Sequence, residues 1–310
     1  MGRKPDDQGG PAGRVVSGAS PVGFVGLGTM GAHMVRNLLK AGRTVHAFDL
    51  DPAAVDAVPG AVRAASVAAV AGAARVVITM LPDTPDVEQV VLGPDGLACS
   101  LERGGLVIDM STISPVAARN LHAGLQARGI GFIDAPVSGG PAGAEAGTLT
   151  IMAGGAEDDF ARAEPLFAEM GSTITHVGGP GAGQTVKLCN QVMVAVNLQS
   201  CCEAIALARA AGVDLDQMRS VLLGGSAASW MLDRLGPQMI AGDARAGFRI
   251  DLMLKDLRLV AELAQSLAVP LPATALATTQ FLEAKAHGEG GNGNQALFRV
   301  YDRMSNQRQA

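Results

Sequence analysis

The stretch "VGFVGLGTMGAHMVRNLLKAG", residues 22–42, constrains the fold of this 310-residue chain more than any other. An apolar run leads into Gly26, Gly28 and Gly31, and the third glycine opens an amphipathic helix. Leu27, Thr29 and Met30 fill the positions between them. The spacing G-x-G-x-x-G between strand and helix has a mechanical reading. The first glycine permits a tight turn and the second lets the backbone approach a pyrophosphate. The third lets helix and strand pack closely, with helix amides facing the phosphates. A second apolar run, "VHAFDLDP", ends in Asp49, 21 residues after Gly28 (49 − 28). A carboxylate there can accept both ribose hydroxyls and would repel a 2′-phosphate. Leu50 supplies no guanidinium for such a phosphate, and Asp51 reads as a turn residue before Pro52. The cofactor expected is NAD(H) rather than NADP(H).

The rest of the first half repeats the alternation of strand and helix. Short β-rich runs fall at 22–26, 44–49, 75–80, 106–110, 131–135, 148–153 and 173–177, with helix-forming stretches at 31–41, 115–128 and 158–170 among them. Strands that alternate with helices need crossover connections, hence a mostly parallel, doubly wound sheet covered on both faces. After "GGPGAG", residues 178–183, the character changes. Apolar residues recur at helical spacing through 184–211, 215–223, 229–240, 250–267 and 272–287, with no convincing strand. The first of these would be about 42 Å long at the standard helical rise. The expected division is a tail at 1–20, an α/β dinucleotide-binding domain at 21–180 and an all-helical domain at 181–310.

Composition removes several classes of function. Net charge is −5 with no basic block, so neither nucleic acid nor an anionic membrane is an expected partner. No apolar stretch of about 18 residues is free of polar interruptions, so no membrane span is expected. The N-terminus has no apolar secretory core, and Cys99, Cys189, Cys201 and Cys202 show no CxxC spacing. They read as reduced thiols of a cytoplasmic protein. The five scattered histidines give no metal-ligand spacing, and no metal is expected.

Two loops follow the third and fourth strands. Met80, Leu81 and Pro82 in "ITMLPD", and Ser111 and Thr112 in "IDMSTISP", stand where an open parallel sheet binds ligands. Met80 and Leu81 read equally as core, and Ser111–Thr112 equally as the cap of the helix starting near Pro115. After the fifth strand, Ser138, Gly139 and Gly140 offer a hydroxyl and open amides. These make either a small anion-binding concavity or an ordinary glycine turn.

The opening of the long helix, "GAGQTVKLCNQ", is the least expected feature. Gln184, Lys187, Asn190 and Gln191 share one face of an otherwise apolar helix. Either the stripe is solvated, or it is buried and hydrogen-bonded within a cleft. A buried lysine has its pKa lowered toward neutrality and can exchange a proton with an alcohol oxygen. In "GFRIDLMLKDL", Lys255 interrupts an apolar face four residues after Asp251, which suggests a helix salt bridge.

Five stretches in order, "FVGLGTMGAHM", "MLP", "IDMSTISP", "DAPVSGGPAGAEAGTLT" and "GAGQTVKLCNQ", with "GFRIDLMLKDL" behind them, resemble the β-hydroxyacid dehydrogenase family. The resemblance covers nearly all of the chain after Pro21. It implies a Rossmann domain and a helical domain joined by one long helix, and a dimeric or tetrameric assembly. It implies NAD(H)-dependent interconversion of a small 3-hydroxycarboxylate and its semialdehyde, as in 3-hydroxyisobutyrate dehydrogenase and tartronate semialdehyde reductase. By the same resemblance Lys187 is the catalytic lysine, Ser138–Gly140 grip the substrate carboxylate, and Asn190 and Gln191 border the substrate. Leu81–Pro82 and Thr112 line the cofactor, and Lys255 reaches it from the helical domain, which takes precedence over the salt bridge. Many members carry two asparagines where this chain has Asn190 and Gln191. Tartronate semialdehyde reductases often show Asn-Gln there, and "GFRIDL" is similar to theirs. A relative that reduces glyoxylate or succinic semialdehyde with NADPH is the alternative. Resemblance to 6-phosphogluconate dehydrogenase is weaker, since that enzyme has His-Asn at 190–191. Imine reductases usually lack the lysine. A non-catalytic NAD-binding module would typically have lost the lysine or the glycine loop.

Overall fold

Residues 20–305 are described by a computed structural model. The tail expected at 1–20 lies, except for Ser20, outside them. Nine strands form one sheet: β1 (Val22–Val25), β2 (Val45–Phe48), β3 (Val62–Arg63), β4 (Val76–Thr79), β5 (Leu106–Asp109), β6 (Gly131–Asp134), β7 (Val137–Ser138), β8 (Leu149–Gly155) and β9 (Gly171–Gly178). Their order is β3-β2-β1-β4-β5-β6-β8-β7, and β9 pairs with β8. The first six are mutually parallel, while β8 runs antiparallel to β6 and β7.

Every residue of β1 and β5 is buried, as required where helices cover both faces of a parallel sheet. The pleat sends neighbouring residues to opposite sides. Phe24, Ile78, Ile108 and Ile133 join one core with Met34, Leu38 and Phe167. Val25, Val77, Val107 and Phe132 join the other with Val87, Leu121 and Leu125. β1 lies between β2 and β4, so the connections leave it in opposite directions and open a crevice at the strands' carboxyl ends.

From Ala182 onward the described chain is helical apart from one bridge between Arg249 and Gly293. The long helix (Ala182–Ala210) packs against the Ile250–Ser266, Pro272–Ala286 and Phe298–Met304 helices. Ala195, Leu198, Cys202 and Ile205 of the long helix meet Met253, Leu257, Phe281 and Phe298 in a third core. By length and apolar content this helix could cross a bilayer. Here its buried residues belong to a protein interior. The single run expected at 229–240 is two short helices, Trp230–Arg234 and Gly236–Ile240. Pro237 has no amide to continue the first, and its ring obstructs the carbonyl one turn back. The two-residue strands β3 and β7 carry too few residues to show an alternation in sequence.

Candidate functional site

The glycine loop has the shape a dinucleotide requires. Gly26 has φ +97°, and a side chain there would strike the Met80 carbonyl and the Leu81 side chain. A side chain at Gly31 would strike the Gly26 carbonyl, so turn and helix are packed backbone to backbone. Gly28 differs, since a side chain there would meet no atom of the described residues within 4 Å. Nothing among the described residues demands glycine at 28; a close-approaching ligand would. Thr29 beside it is also exposed, and Leu27 is buried. Asp49 stands at the end of β2, accepting a hydrogen bond from the Leu27 amide (2.6 Å) through one oxygen and from the Asp51 amide (2.9 Å) through the other. Asp51 caps the following helix by accepting from the Ala53 amide, a turn role. Leu50 is 92% exposed beside this carboxylate. These residues fit a nicotinamide dinucleotide.

The two strand-end loops are tied together. Buried Ser111 donates its hydroxyl to Asp109 (2.6 Å) and accepts the Leu81 amide (2.9 Å). Asp109 also accepts from the Thr79 hydroxyl (2.8 Å). Burial raises the Asp109 pKa against these hydrogen bonds. The helix at Pro115 is capped by Ser114, whose hydroxyl accepts the Val116 amide, so the capping role considered for Ser111 and Thr112 is not theirs. Leu81 is half-buried against Gly26, Met80 is half-buried and Pro82 is exposed.

The polar stripe of the long helix is buried, not solvated. Gln184, Lys187 and Gln191 lie in the interior, and Asn190 is half-buried. Gln184 works as an adaptor to the β5 loop: its side chain accepts from the Ile113 amide (3.0 Å) and donates to the Ser111 carbonyl (2.8 Å). Asp134, at the end of β6, accepts the amides of Gly181 (2.7 Å) and Gln184 (2.8 Å), so the helix start is fixed to the sheet. Burial pushes the Asp134 pKa up to about 7, the two amides opposing it.

Lys187 follows one turn after Gly183. No described residue hydrogen-bonds its amine. Burial lowers its pKa, Asp256 opposes this, and Lys255 adds to the lowering. Asp256 is itself buried, and it collects the Gln191 amide (2.6 Å) and the Lys255 ammonium (2.8 Å). Asn190 donates to the Gln191 side-chain oxygen (2.8 Å). Lys255 then donates to the Thr112 carbonyl (2.7 Å), crossing to the sheet. The Asp251–Lys255 salt bridge suggested by spacing does not form. Asp251 pairs with Lys285 (2.9 Å), because Lys255 turns toward Asp256 and Thr112.

Ser138 lies on β7 opposite Thr150 of β8, and Gly139 and Gly140 have φ +129° and +62°. The structure therefore brings together Lys187, Asn190, Gln191, Lys255 and Thr112, while no hydrogen bond among the described residues joins Ser138–Gly140 to them. The sequence assigns no site role to Asp109, Asp134 or Asp256, although Asp256 interrupts an apolar face beside Lys255. The first two close the apolar runs "LVID" and "GFID", an available signal; the partners of Asp256 are visible only in three dimensions.

Residues 21–178 match the model of a family described as the NAD binding domain of 6-phosphogluconate dehydrogenase. Residues 181–301 match one described as NAD-binding of NADP-dependent 3-hydroxyisobutyrate dehydrogenase. The 2-hydroxy-3-oxopropionate reductase of Escherichia coli is 40% identical over 93% of this chain and 99% of its own. The chain belongs to the β-hydroxyacid dehydrogenase family. Within that family, the NAD-dependent L-serine dehydrogenase of Pseudomonas aeruginosa is 42% identical over 84% of this chain and 90% of its own. The 3-hydroxyisobutyrate dehydrogenase of Mycobacterium tuberculosis, solved with L-serine, superposes with a TM-score of 0.84 at 33% identity, covering 91% of this chain and 98% of that one.

Proposed function

We propose that this β-hydroxyacid dehydrogenase interconverts a small 3-hydroxycarboxylate and its semialdehyde with NAD(H), using Lys187 as general acid and base. The observation that carries the reading is the Lys187 amine. It is buried, free of hydrogen bonds to described residues, and depressed in pKa. It lies one turn from Gln184, whose side chain is fastened to the cofactor-side loop.

When bound, NADH supplies the hydride. In that direction Lys187, as the ammonium, gives its proton to the carbonyl oxygen that becomes the alcohol; in oxidation the neutral amine takes it back. The nearby Asp256 carboxylate favours the ammonium, while burial and Lys255 favour release of its proton. Ser138 and the open amides of Gly139 and Gly140 hold the substrate carboxylate, and Asn190 and Gln191 border the substrate. Gly26–Gly31, Asp49, Met80–Pro82, Thr112 and Lys255 hold the dinucleotide. Asp49 selects NAD over NADP by charge.

Two relatives carry printed names for 2-hydroxy-3-oxopropionate and L-serine, both three-carbon compounds, which supports a substrate of that size. The chain acts as a cytoplasmic homodimer or homotetramer. All four cysteines are free, and Val186, Met193 and Leu207 leave an apolar strip exposed along the long helix at spacings of seven and fourteen residues.

The test is loss of NADH or NADPH absorbance with tartronate, methylmalonate and succinic semialdehydes and glyoxylate, with L-serine and 3-hydroxyisobutyrate in the oxidative direction. Turnover with one of the three-carbon or branched four-carbon substrates, preferring NADH, is the expected result. Tight NADH binding without turnover of any would leave a binding module instead.

A further inference from the structure

The loop after β4 is gripped from outside the sheet. Asp83 follows Leu81–Pro82 directly and uses its two carboxylate oxygens for different partners. Oδ1 accepts the Thr84 amide (2.7 Å), which starts the Thr84–Leu92 helix. Oδ2 accepts the Arg258 guanidinium (2.6 Å), which comes from the Ile250–Ser266 helix 175 residues further along the chain. Arg258 is also held by Glu262 (2.7 Å), one turn on.

Arg258 lies three residues after Lys255, so both cations project from one face of that helix. Each takes one strand-end loop: Lys255 the Thr112 carbonyl after β5, Arg258 the Asp83 carboxylate after β4. The two loops are in turn joined by the Ser114 amide donating to Thr84 Oγ1 (3.0 Å) and the Leu81 amide donating to Ser111. Leu81 packs against Gly26, the first glycine of the phosphate loop. A pull on Asp83 is therefore transmitted within two residues to the side chain that closes over that loop.

We infer that Arg258 is a positioning residue for the cofactor: through Asp83 it holds the Leu81–Pro82 turn against the glycine loop, and release of this ion pair precedes dinucleotide exchange. The proposal rests on the reading of the site as NAD(H)-binding. The two grips differ in the way this role needs. The Lys255–Asp256 pair has side chains only 15% and 2% exposed, so little water reaches it. Arg258 and Asp83 are 46% and 28% exposed, so their pair meets water and breaks readily. Exposed pairs are also weakened by salt. Dinucleotide departure thus acquires a sensitivity to ionic strength that chemistry at Lys187 lacks.

The experiment is stopped-flow NADH dissociation followed by cofactor fluorescence, at low and high salt. The variants are Arg258→Gln, Asp83→Asn and the double variant. Asparagine is as good a helix cap as aspartate, so Asp83→Asn removes the charge and keeps the helix start. Each single variant should dissociate NADH about two- to fivefold faster than wild type, the range of an exposed pair. The double variant should match the singles, and all three should lose the salt dependence. Single-turnover hydride transfer at saturating NADH should be unchanged, which a general loosening of the fold would not allow. Wild-type dissociation rates and salt response in both single variants would overturn the latch, as would effects that multiply in the double variant. If wild-type protein bound no NADH, the reading beneath the proposal would fail and the proposal with it. Turnover with unaltered release overturns the latch alone.

Discussion

Gln191 reaches Asp256 with its side-chain amide, a 2.6 Å hydrogen bond that spans two helices and 65 residues of chain. An asparagine here would be one methylene shorter. The additional methylene lets the amide span the gap to a carboxylate that is 1% exposed.

Shortening that side chain should leave the carboxylate short of one donor. Gln191→Asn is expected to lose about 1–3 kcal/mol of stability, the usual penalty for an unsatisfied buried acceptor. It should also shift substrate preference, because Asn190 is held by the same Gln191 oxygen. Urea denaturation and a substrate panel would check this; unaltered stability would show that Asp256 finds its second donor elsewhere.

Lys187→Met removes the amine and keeps the volume. Replacing an unpaired buried charge by an apolar side chain should leave stability equal or greater. Turnover should fall about 10²- to 10⁴-fold, as when a general acid is removed. NADH affinity should stay near wild type. Turnover close to wild type in this variant would remove Lys187 from the mechanism.

The pH profile should carry the signature of the same amine. Its pKa lies below 10.5 chiefly through burial, with Asp256 opposing and Lys255 assisting. Since the ammonium is the donor, reductive kcat/KM should fall as pH rises through that pKa, and oxidative kcat/KM should rise. Lys255→Met, which removes a neighbouring positive charge, should move both midpoints upward. Asp256→Asn should move them downward. Midpoints unmoved in both variants would mean that another group titrates.

Stability should follow Asp134 between pH 4 and 7. Its pKa rises from 3.8 to about 7 on folding. Within that window the folded state retains a proton that the unfolded chain has lost, so stability falls as pH rises. Asp134→Asn should be less stable at the acid end, because its amide cannot accept both backbone N–H groups, yet its stability should vary less with pH. Parallel stability curves for the two proteins would contradict this.

The glycines make opposite predictions. Gly26→Ala should unfold or fail to express, because its side chain meets the Met80 carbonyl at a positive φ. Gly28→Ala should keep wild-type thermal stability while NADH affinity falls at least tenfold, about 1.4 kcal/mol. Undiminished affinity in Gly28→Ala would place the pyrophosphate elsewhere.

The parts legible in the sequence are those governed by local periodicity. "GFVGLG" gives strand and turn at once, and the apolar spacing after Gln184 gives the long helix because no glycine or proline breaks it before Gly212. The 229–240 stretch misleads because apolar spacing carries through Gly236-Pro237, where the backbone cannot. Lys187 was conspicuous because it was polar among apolar neighbours. Asp256 stands out beside Lys255 in the same way, but its partner does not: nothing in "KDL" points to the Gln191 amide that folding brings against it. Arg258 and Asp83 are further still from legible: each looks like an ordinary surface charge, and only folding makes them partners.

Asp134 and Gln184 fix the long helix to the sheet at its very first turn. Lys187 stands three residues beyond Gln184, about 4.5 Å along the axis, whereas Ala210 stands 26 residues beyond (210 − 184), about 39 Å. Should the helical half swing by about 10° about that anchorage, Ala210 would sweep about 7 Å and the lysine less than about 1 Å. The proton donor sits beside the anchorage, where any tilt of the helix displaces it least.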